Sequence, residues 1–229
     1  MTTRTITAEV SIAQLKAALL FAPKSDVVRA YLVGVCFDYQ PQRCMRLVAT
    51  DGHRMIVMNL GGEPNAAGIS SGARFVVSRD VLDRAVKAYA KEQSIQVTWS
   101  QDTDADPERP GVVIVRCAKI TVGELPTTDV QDNSGRFPGY ERIVPAKTSG
   151  KTAQFNALYL ADCAKAADWL KATKRRDEVS GFINVAHNGD SAALVDLGES
   201  AFAIVMPCRP GAEPALPDWY AGAPAKAAA

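Results

Sequence analysis

One pattern recurs three times along this chain: a short alternating strand, a helix of about three turns, then two or three more strands. A chain built this way must lay amphipathic helices against pleated sheets. It therefore predicts an α+β fold, with sheets and one helix per repeat packed on them. In the first unit, residues 5–11 alternate in strand fashion. Ile12, Leu15, Leu19 and Leu20 then fall at helical spacing, with Ser11 as N-cap and Pro23 as the stop. Residues 31–39, 45–50 and 54–60 read as strands, and 61–72 as a Gly/Ser/Asn/Pro loop. The second unit opens with a strand at 74–77 and a second N-cap candidate, Ser78. Val81, Leu82, Ala85, Val86 and Tyr89 share one helical face. Strands at 95–99 and 112–122 flank a polar, turn-forming stretch, QDTDADPERPG. Residues 135–150 read as a connector. The third unit has a strand-like start at 153–155, a helix over 158–172 and strands at 181–187, 192–197 and 202–207. The expected division is a two-repeat domain over 1–134, a connector over 135–150, a third repeat over 151–209 and an Ala/Pro-rich tail over 210–229.

Composition narrows the function. The 229 residues carry 26 Lys and Arg against 25 Asp and Glu, so any DNA contact must come from local clustering of charge. No apolar run approaches the ~18 residues of a membrane span, and MTTRTITAEV lacks the apolar core of a secretory signal. Cys36, Cys44, Cys117, Cys163 and Cys208 are odd in number and none pair at CxxC spacing. That argues against a disulfide framework or zinc site and for a reducing, cytoplasmic setting. With only His53 and His187, histidine-based acid–base chemistry and metal ligation are poorly supplied, and no cofactor is expected. The expectation is a protein that is not an enzyme.

Three strings stand out: Ala49-Thr50-Asp51-Gly52-His53-Arg54-Met55, GRFPGYERIVP over 135–145, and Ala203-Ile204-Val205-Met206-Pro207-Cys208-Arg209. Asp51-Gly52 reads as a tight turn between strands, Pro138 and Pro145 stiffen a connector, and the last string is an apolar strand ending in a charge. Together they resemble the bacterial DNA polymerase III beta subunit, the sliding-clamp family. The first string is similar to a turn of its middle domain, the second to the connector into its last domain, the third to its C-terminus. The stretches DVVRAYLVG (26–34) and Phe155-Asn156-Ala157-Leu158-Tyr159 extend the resemblance. This chain has three repeats where the family has six. It resembles the middle domain plus the last half-domain.

The resemblance implies a pocket for short peptides of replication proteins, of the Gln-Leu-x-Leu-Phe type. Its matching positions here are Leu32, Thr50, Gly52, His53, Arg54 and Met55, then Pro138, Arg142 and Ile143. From the third unit come Asn156, Tyr159, Val205, Met206, Pro207, Cys208 and Arg209. Leu32, Met55, Ile143, Val205 and Met206 would offer an apolar floor, and methionine adapts to varied side chains. Arg54, Arg142, Asn156 and Arg209 would form a polar rim. It also implies a face for double-stranded DNA, read without sequence preference. Lys24, Arg29 and Tyr31 match a DNA-touching loop, Arg84, Lys87 and Lys91 lie on or after the second helix, and Lys165, Lys171, Lys174, Arg175 and Arg176 on or after the third.

The function expected from this resemblance is a polymerase processivity factor. Its partners would be a replicative or repair DNA polymerase, duplex DNA and a clamp loader. Twelve repeats closing a ring would require a homotetramer, and a lone third repeat would need a partner surface to cover its apolar face. The alternative is a non-ring monomeric or dimeric adaptor or decoy that presents the same pocket. Leu216, Trp219 and Tyr220 give the tail its one aromatic cluster, loosely like a client peptide.

Overall fold

A computed structural model of the chain describes residues 2–41, 44–62, 64–67, 69, 72–105, 113–126, 128–129, 137–170 and 182–209. The first unit contains β1 (Thr2–Ser11), α1 (Ile12–Phe21), β2 (Gly34–Gln40), β3 (Cys44–Thr50) and β4 (Arg54–Asn59). A short β5 (Asn65–Ala67) leads to β6 (Ala73–Ser78), α2 (Arg79–Ala88), β7 (Ser94–Ala105), β8 (Val113–Val122) and β9 (Thr128–Asp129). The third unit has α3 (Ala157–Leu170), β10 (Asn184–Ala186), β11 (Ala193–Asp196) and β12 (Ala201–Val205).

The helix starts follow from short-range chemistry. Ser11 Oγ accepts the Gln14 amide at 3.1 Å and Gln14 Oε1 accepts the Ser11 amide at 3.0 Å, a reciprocal capping box. Ser11→Ala is expected to cost about 1 kcal/mol. Chemical denaturation checks this, and an unchanged midpoint would contradict it. Ser78 stands at the N-cap of α2, but its side chain makes no capping bond. α1 ends without a basic residue in its last turn. Two distant arginines serve it instead. Arg79 Nη1 donates to the carbonyls of Leu19 and Ala22 at 2.8 and 2.6 Å, and Arg54 Nη2 to that of Leu20 at 2.9 Å. Positive charge there complements the helix dipole and satisfies its last carbonyls.

The two sheets exchange their first strands. β1 pairs with β7, in a five-stranded sheet ordered β5-β1-β7-β8-β9. β6 pairs with β2 in a seven-stranded sheet ordered β10-β11-β12-β4-β3-β2-β6. Both sheets and all three helices share one apolar core. Stacked rings of Phe37, Phe75 and Trp99, with centroids 5.0 and 5.6 Å apart, tie one sheet to the other. The third unit is built into the first. β12 pairs antiparallel with β4, and α3 packs on α1 through small buried residues, Cys163, Ala166 and Ala167.

Several expectations are corrected. Residues 153–155 form no strand, because single bonds replace a ladder there. The Ala153 amide donates to His187 Nδ1 at 3.2 Å, and the Cys208 amide to the Gln154 carbonyl at 2.8 Å. β7 runs on to Ala105, into the stretch read as a turn. The loop at 61–72 contributes β5 to the edge of the five-stranded sheet. The connector is not a bare linker. Phe137 and Tyr140 are buried on the outer face of the seven-stranded sheet. Within this chain the third unit's last strand pairs with β4 and its helix packs on α1. The tail over 210–229 lies outside the described residues. Cys36, Cys44, Cys163 and Cys208 are free thiols. No helix among the described residues is long and apolar enough to cross a membrane.

Candidate peptide-binding cleft

The β3–β4 turn is held by its own side chains. Thr50 Oγ1 donates to the Arg54 carbonyl at 2.7 Å and accepts the Gly52 amide at 3.0 Å. Asp51 Oδ1 accepts the amides of His53 and Arg54 at 2.9 and 3.0 Å. Gly52 has φ +91°, and a Cβ there would lie 2.4 Å from Arg29 Nη1, so this position requires glycine. The Met206 amide donates to the His53 carbonyl at 2.8 Å, extending the β4–β12 pairing past the end of β12.

Strand alternation then sorts the residues. On β4, Met55 and Val57 face outward. Arg54 faces the helices, where its guanidinium lies over the rings of Phe21 and Tyr159, at 5.3 and 4.6 Å. On β12, Ile204 is paired with Met55, and buried Val205 with Arg54. The outward residues and the connector bound a cleft of about 350 Å³. Leu32, Met55, Pro138, Ile143, Ile204 and Met206 supply its apolar wall, with Tyr140 beside them. Thr50, Gly52, His53, Arg54, Arg29 and Tyr31 complete it.

Nine of the sixteen expected pocket residues line this cleft: Leu32, Thr50, Gly52, His53, Arg54, Met55, Pro138, Ile143 and Met206. Arg142, Cys208 and Arg209 are exposed and Pro207 is half-buried, but none lines it. Val205 belongs to the core on the opposite face, and Ile204 takes its place. Alternation from Met206 backwards could have found Ile204. Asn156 opens α3, its Oδ1 accepting the Leu158 amide at 2.9 Å, and Tyr159 packs on Arg54. Arg54 is not a free rim group. Its Nε donates to Asp51 at 3.0 Å, Nη1 to Asp162 at 2.5 Å and Nη2 to Leu20. It joins the turn to α1 and α3.

Behind the cleft lies a polar cluster that sequence reasoning missed. Asp38 is 1% exposed. It accepts Tyr140 Oη at 2.6 Å, Arg74 Nε at 3.0 Å and Gln40 Nε2 at 2.8 Å. Arg74 also bonds Glu141 and lies over the Tyr140 ring, and Arg46 Nη1 donates to Tyr140 Oη at 3.4 Å. Burial and the bond to Asp38 raise the Tyr140 hydroxyl far above its ordinary range, so it stays a donor. The only sequence signal was an Asp in an otherwise apolar strand.

The DNA-facing expectation divides. Arg29 and Tyr31 line the cleft, and Arg29 Nε is paired with Asp26 at 2.9 Å. Lys24, Arg84, Lys87, Lys91 and Lys165 are exposed, Lys165 Nζ lying 4.9 Å over the Trp169 ring. The three helices carry five basic against four acidic residues, and Arg79, Arg54's partner Asp162 and Asp83 are engaged internally. Lys171, Lys174, Arg175 and Arg176 lie outside the described residues. Burial pushes the Cys163 thiol up to about 12 and raises Cys36 further, so neither is a thiolate nucleophile at neutral pH. Among the described residues no group of three or more His, Cys, Asp or Glu is placed to hold a metal.

Two exchanged sheets, a shared helix layer and a cleft where repeats meet define the DNA-clamp fold. No protein-family model and no curated protein matches this sequence. Solved structures do, and they are bacterial sliding clamps. The Helicobacter pylori beta clamp bound to a DNA ligase peptide is 12% identical, with TM-score 0.57, over 90% of this chain and 65% of that one. The sliding clamp (DNA polymerase III subunit beta) from Bartonella birtlesii, bound to griselimycin, is 17% identical, with TM-score 0.53, over 89% and 66%. Caulobacter crescentus pol III beta is 17% identical, with TM-score 0.52, over 89% and 65%. The likeness at this identity is one of fold, and this chain spans about two thirds of the length of those clamps.

Proposed function

We propose that this chain is a non-catalytic, sliding-clamp-like accessory of DNA polymerases that seats short peptides of replication proteins in the β4–β12 cleft. One observation carries the reading. Residues far apart in sequence, Thr50 to Met55, Pro138 to Ile143, and Ile204 with Met206, border one apolar cleft. Its size and lining suit a few apolar side chains of an extended peptide, with His53 and Thr50 beside them for orientation. The Helicobacter pylori clamp that shares the fold holds a DNA ligase peptide. Tethering a polymerase this way raises its local concentration at the template without any chemistry by the tether. Titration with a labelled Gln-Leu-x-Leu-Phe-type peptide is expected to saturate at one peptide per chain. Absence of saturable binding overturns the reading.

In the first form of this function the chain closes a ring around duplex DNA, opened by a clamp loader, with the helix layer facing phosphates. Reversing charge at Lys171, Lys174 and Arg175 is then expected to lower DNA association and flatten its salt dependence. Unchanged association would leave those residues as a solvated face. A specific observation favours the second form, a monomeric or dimeric adaptor: the third unit's helix and last strand are covered within the same chain. Light scattering over a concentration series separates the two. A stable tetramer supports the ring, and a monomer throughout supports the adaptor.

A further inference from the structure

We propose that the third unit is half of a two-repeat domain, and that a second copy of this chain completes it across a twofold axis, third unit against third unit. This goes beyond the cleft and does not depend on it. Equivalent positions in the three units carry it. Each helix starts at a polar residue, Ser11, Ser78 or Asn156. Four residues further on stand Leu15, Leu82 and Leu160. Leu15 and Leu82 are 0% exposed, whereas Leu160 is half-buried. One residue before each start stand Val10, Val77 and Phe155. The two valines are buried and Phe155 is half-buried. The first strand after each helix repeats the contrast. Val35 and Phe37 on β2, and Ile95 and Val97 on β7, are buried, whereas Ile183 and Val185 at β10 are half-buried.

Units one and two bury these positions against each other: α1 packs on α2, β1 pairs with β7 and β6 with β2. Among the described residues the third unit has no such sibling. Its contacts with β4 and α1 cover one side. The segment before α3 has no strand of a second repeat beside it and forms none. What remains is a domain core cut in half, the pattern of an obligate interface. Three features point to a second copy. Unit one shows that the surface completing such a repeat is another repeat of the same kind. A twofold contact sets like against like, and residues 182–189 carry no charged side chain, nor do Phe155, Leu160 or Ala164, so it meets no repulsion. The seven-stranded sheet already crosses between units at β4–β12. It ends at β10, where no strand among the described residues pairs with the outer edge. Edges that stay in water are guarded by lysine, proline or an inward charge. β10 has none of these, and Phe182 beside it is 73% exposed.

The test is sedimentation velocity of the full chain over a concentration series, with hydrogen exchange on the same samples. A dimer, or a tetramer built from it, is expected, with the amides of 183–186 protected as in a paired strand. Leu160→Lys should weaken association at least about 30-fold, as for a residue central to an interface. Ala164→Lys, one turn further along α3 and half-buried, is the second variant and should act in the same direction. Circular dichroism reports whether each variant folds. If neither does, the exchange measurement on the unaltered chain still decides. A monomer at every concentration overturns the proposal. So does parental association in a folded variant, or an oligomer whose 183–186 amides exchange as an open edge. Titration with a Gln-Leu-x-Leu-Phe-type peptide is scored separately, so a monomer that binds peptide sinks this proposal and leaves the cleft reading standing.

Discussion

Arg54→Ala is expected to lower stability by about 3 kcal/mol, because it breaks a paired, mostly buried charge. The side chain is 12% exposed and serves Asp51, Asp162 and the last turn of α1 at once. Its loss leaves the partly exposed Asp162 carboxylate without its arginine and the Leu20 carbonyl without that donor. For a chain of this length the melting temperature should fall by roughly 6–12 °C. Arg54→Lys should recover only part of this, since an ammonium cannot fork to three partners. A fall below about 2 °C would show that the junction of first and third units does not depend on this residue. Because Arg54 both ties the turn to the helices and borders the cleft, peptide affinity in Arg54→Ala is expected to fall together with stability.

Asp38→Ala is expected to cost as much, by a different route. Its carboxylate takes donors from Tyr140, Arg74 and Gln40 in a buried site. Removing it takes away the buried acceptor shared by Arg74 and Tyr140, leaving Arg74 only its exposed partner Glu141 and the Tyr140 hydroxyl no acceptor, at roughly 3 kcal/mol for a broken buried pair. Tyr140 lines the cleft and anchors the connector, so the cleft wall should loosen with it. Hydrogen exchange over Phe137 to Ile143 is expected to speed up beyond the rest of the sheet. Tyr140→Phe removes one hydroxyl and keeps the ring and the Asp38–Arg74 pair, so it should cost less than half as much. Equal costs for the two variants would contradict the cluster's assigned roles.

Much of this was legible from local pattern. Ser11 and Pro23 announced the first helix, Asp51-Gly52 the turn, and alternation most strands. What sequence could not supply was long-range placement. Arg54 next to His53 reads as a surface charge until pairing with β12 fixes which face each residue takes. Val205 and Ile204 are equally apolar, and only register separates core from cleft. Arg29 and Tyr31 follow a loop that, in sequence, could serve either face, and the Asp26 turn aims Arg29 over Gly52. The connector looked like a linker because Phe137 and Tyr140 are too few to give a period.

In the proposed function the outward residues of β4 and β12 and those of the connector form one peptide site. Met206 and Ile143, 39% and 47% exposed, test it without disturbing the core, whereas Met55 at 3% would report folding as well. Calorimetric titration of a Gln-Leu-x-Leu-Phe-type peptide into Ile143→Ala/Met206→Ala is the direct measurement. Affinity at least about 10-fold weaker is expected, as for two truncated apolar contacts, with the melting temperature within a few degrees of the parent. Parental affinity in the double variant would contradict it.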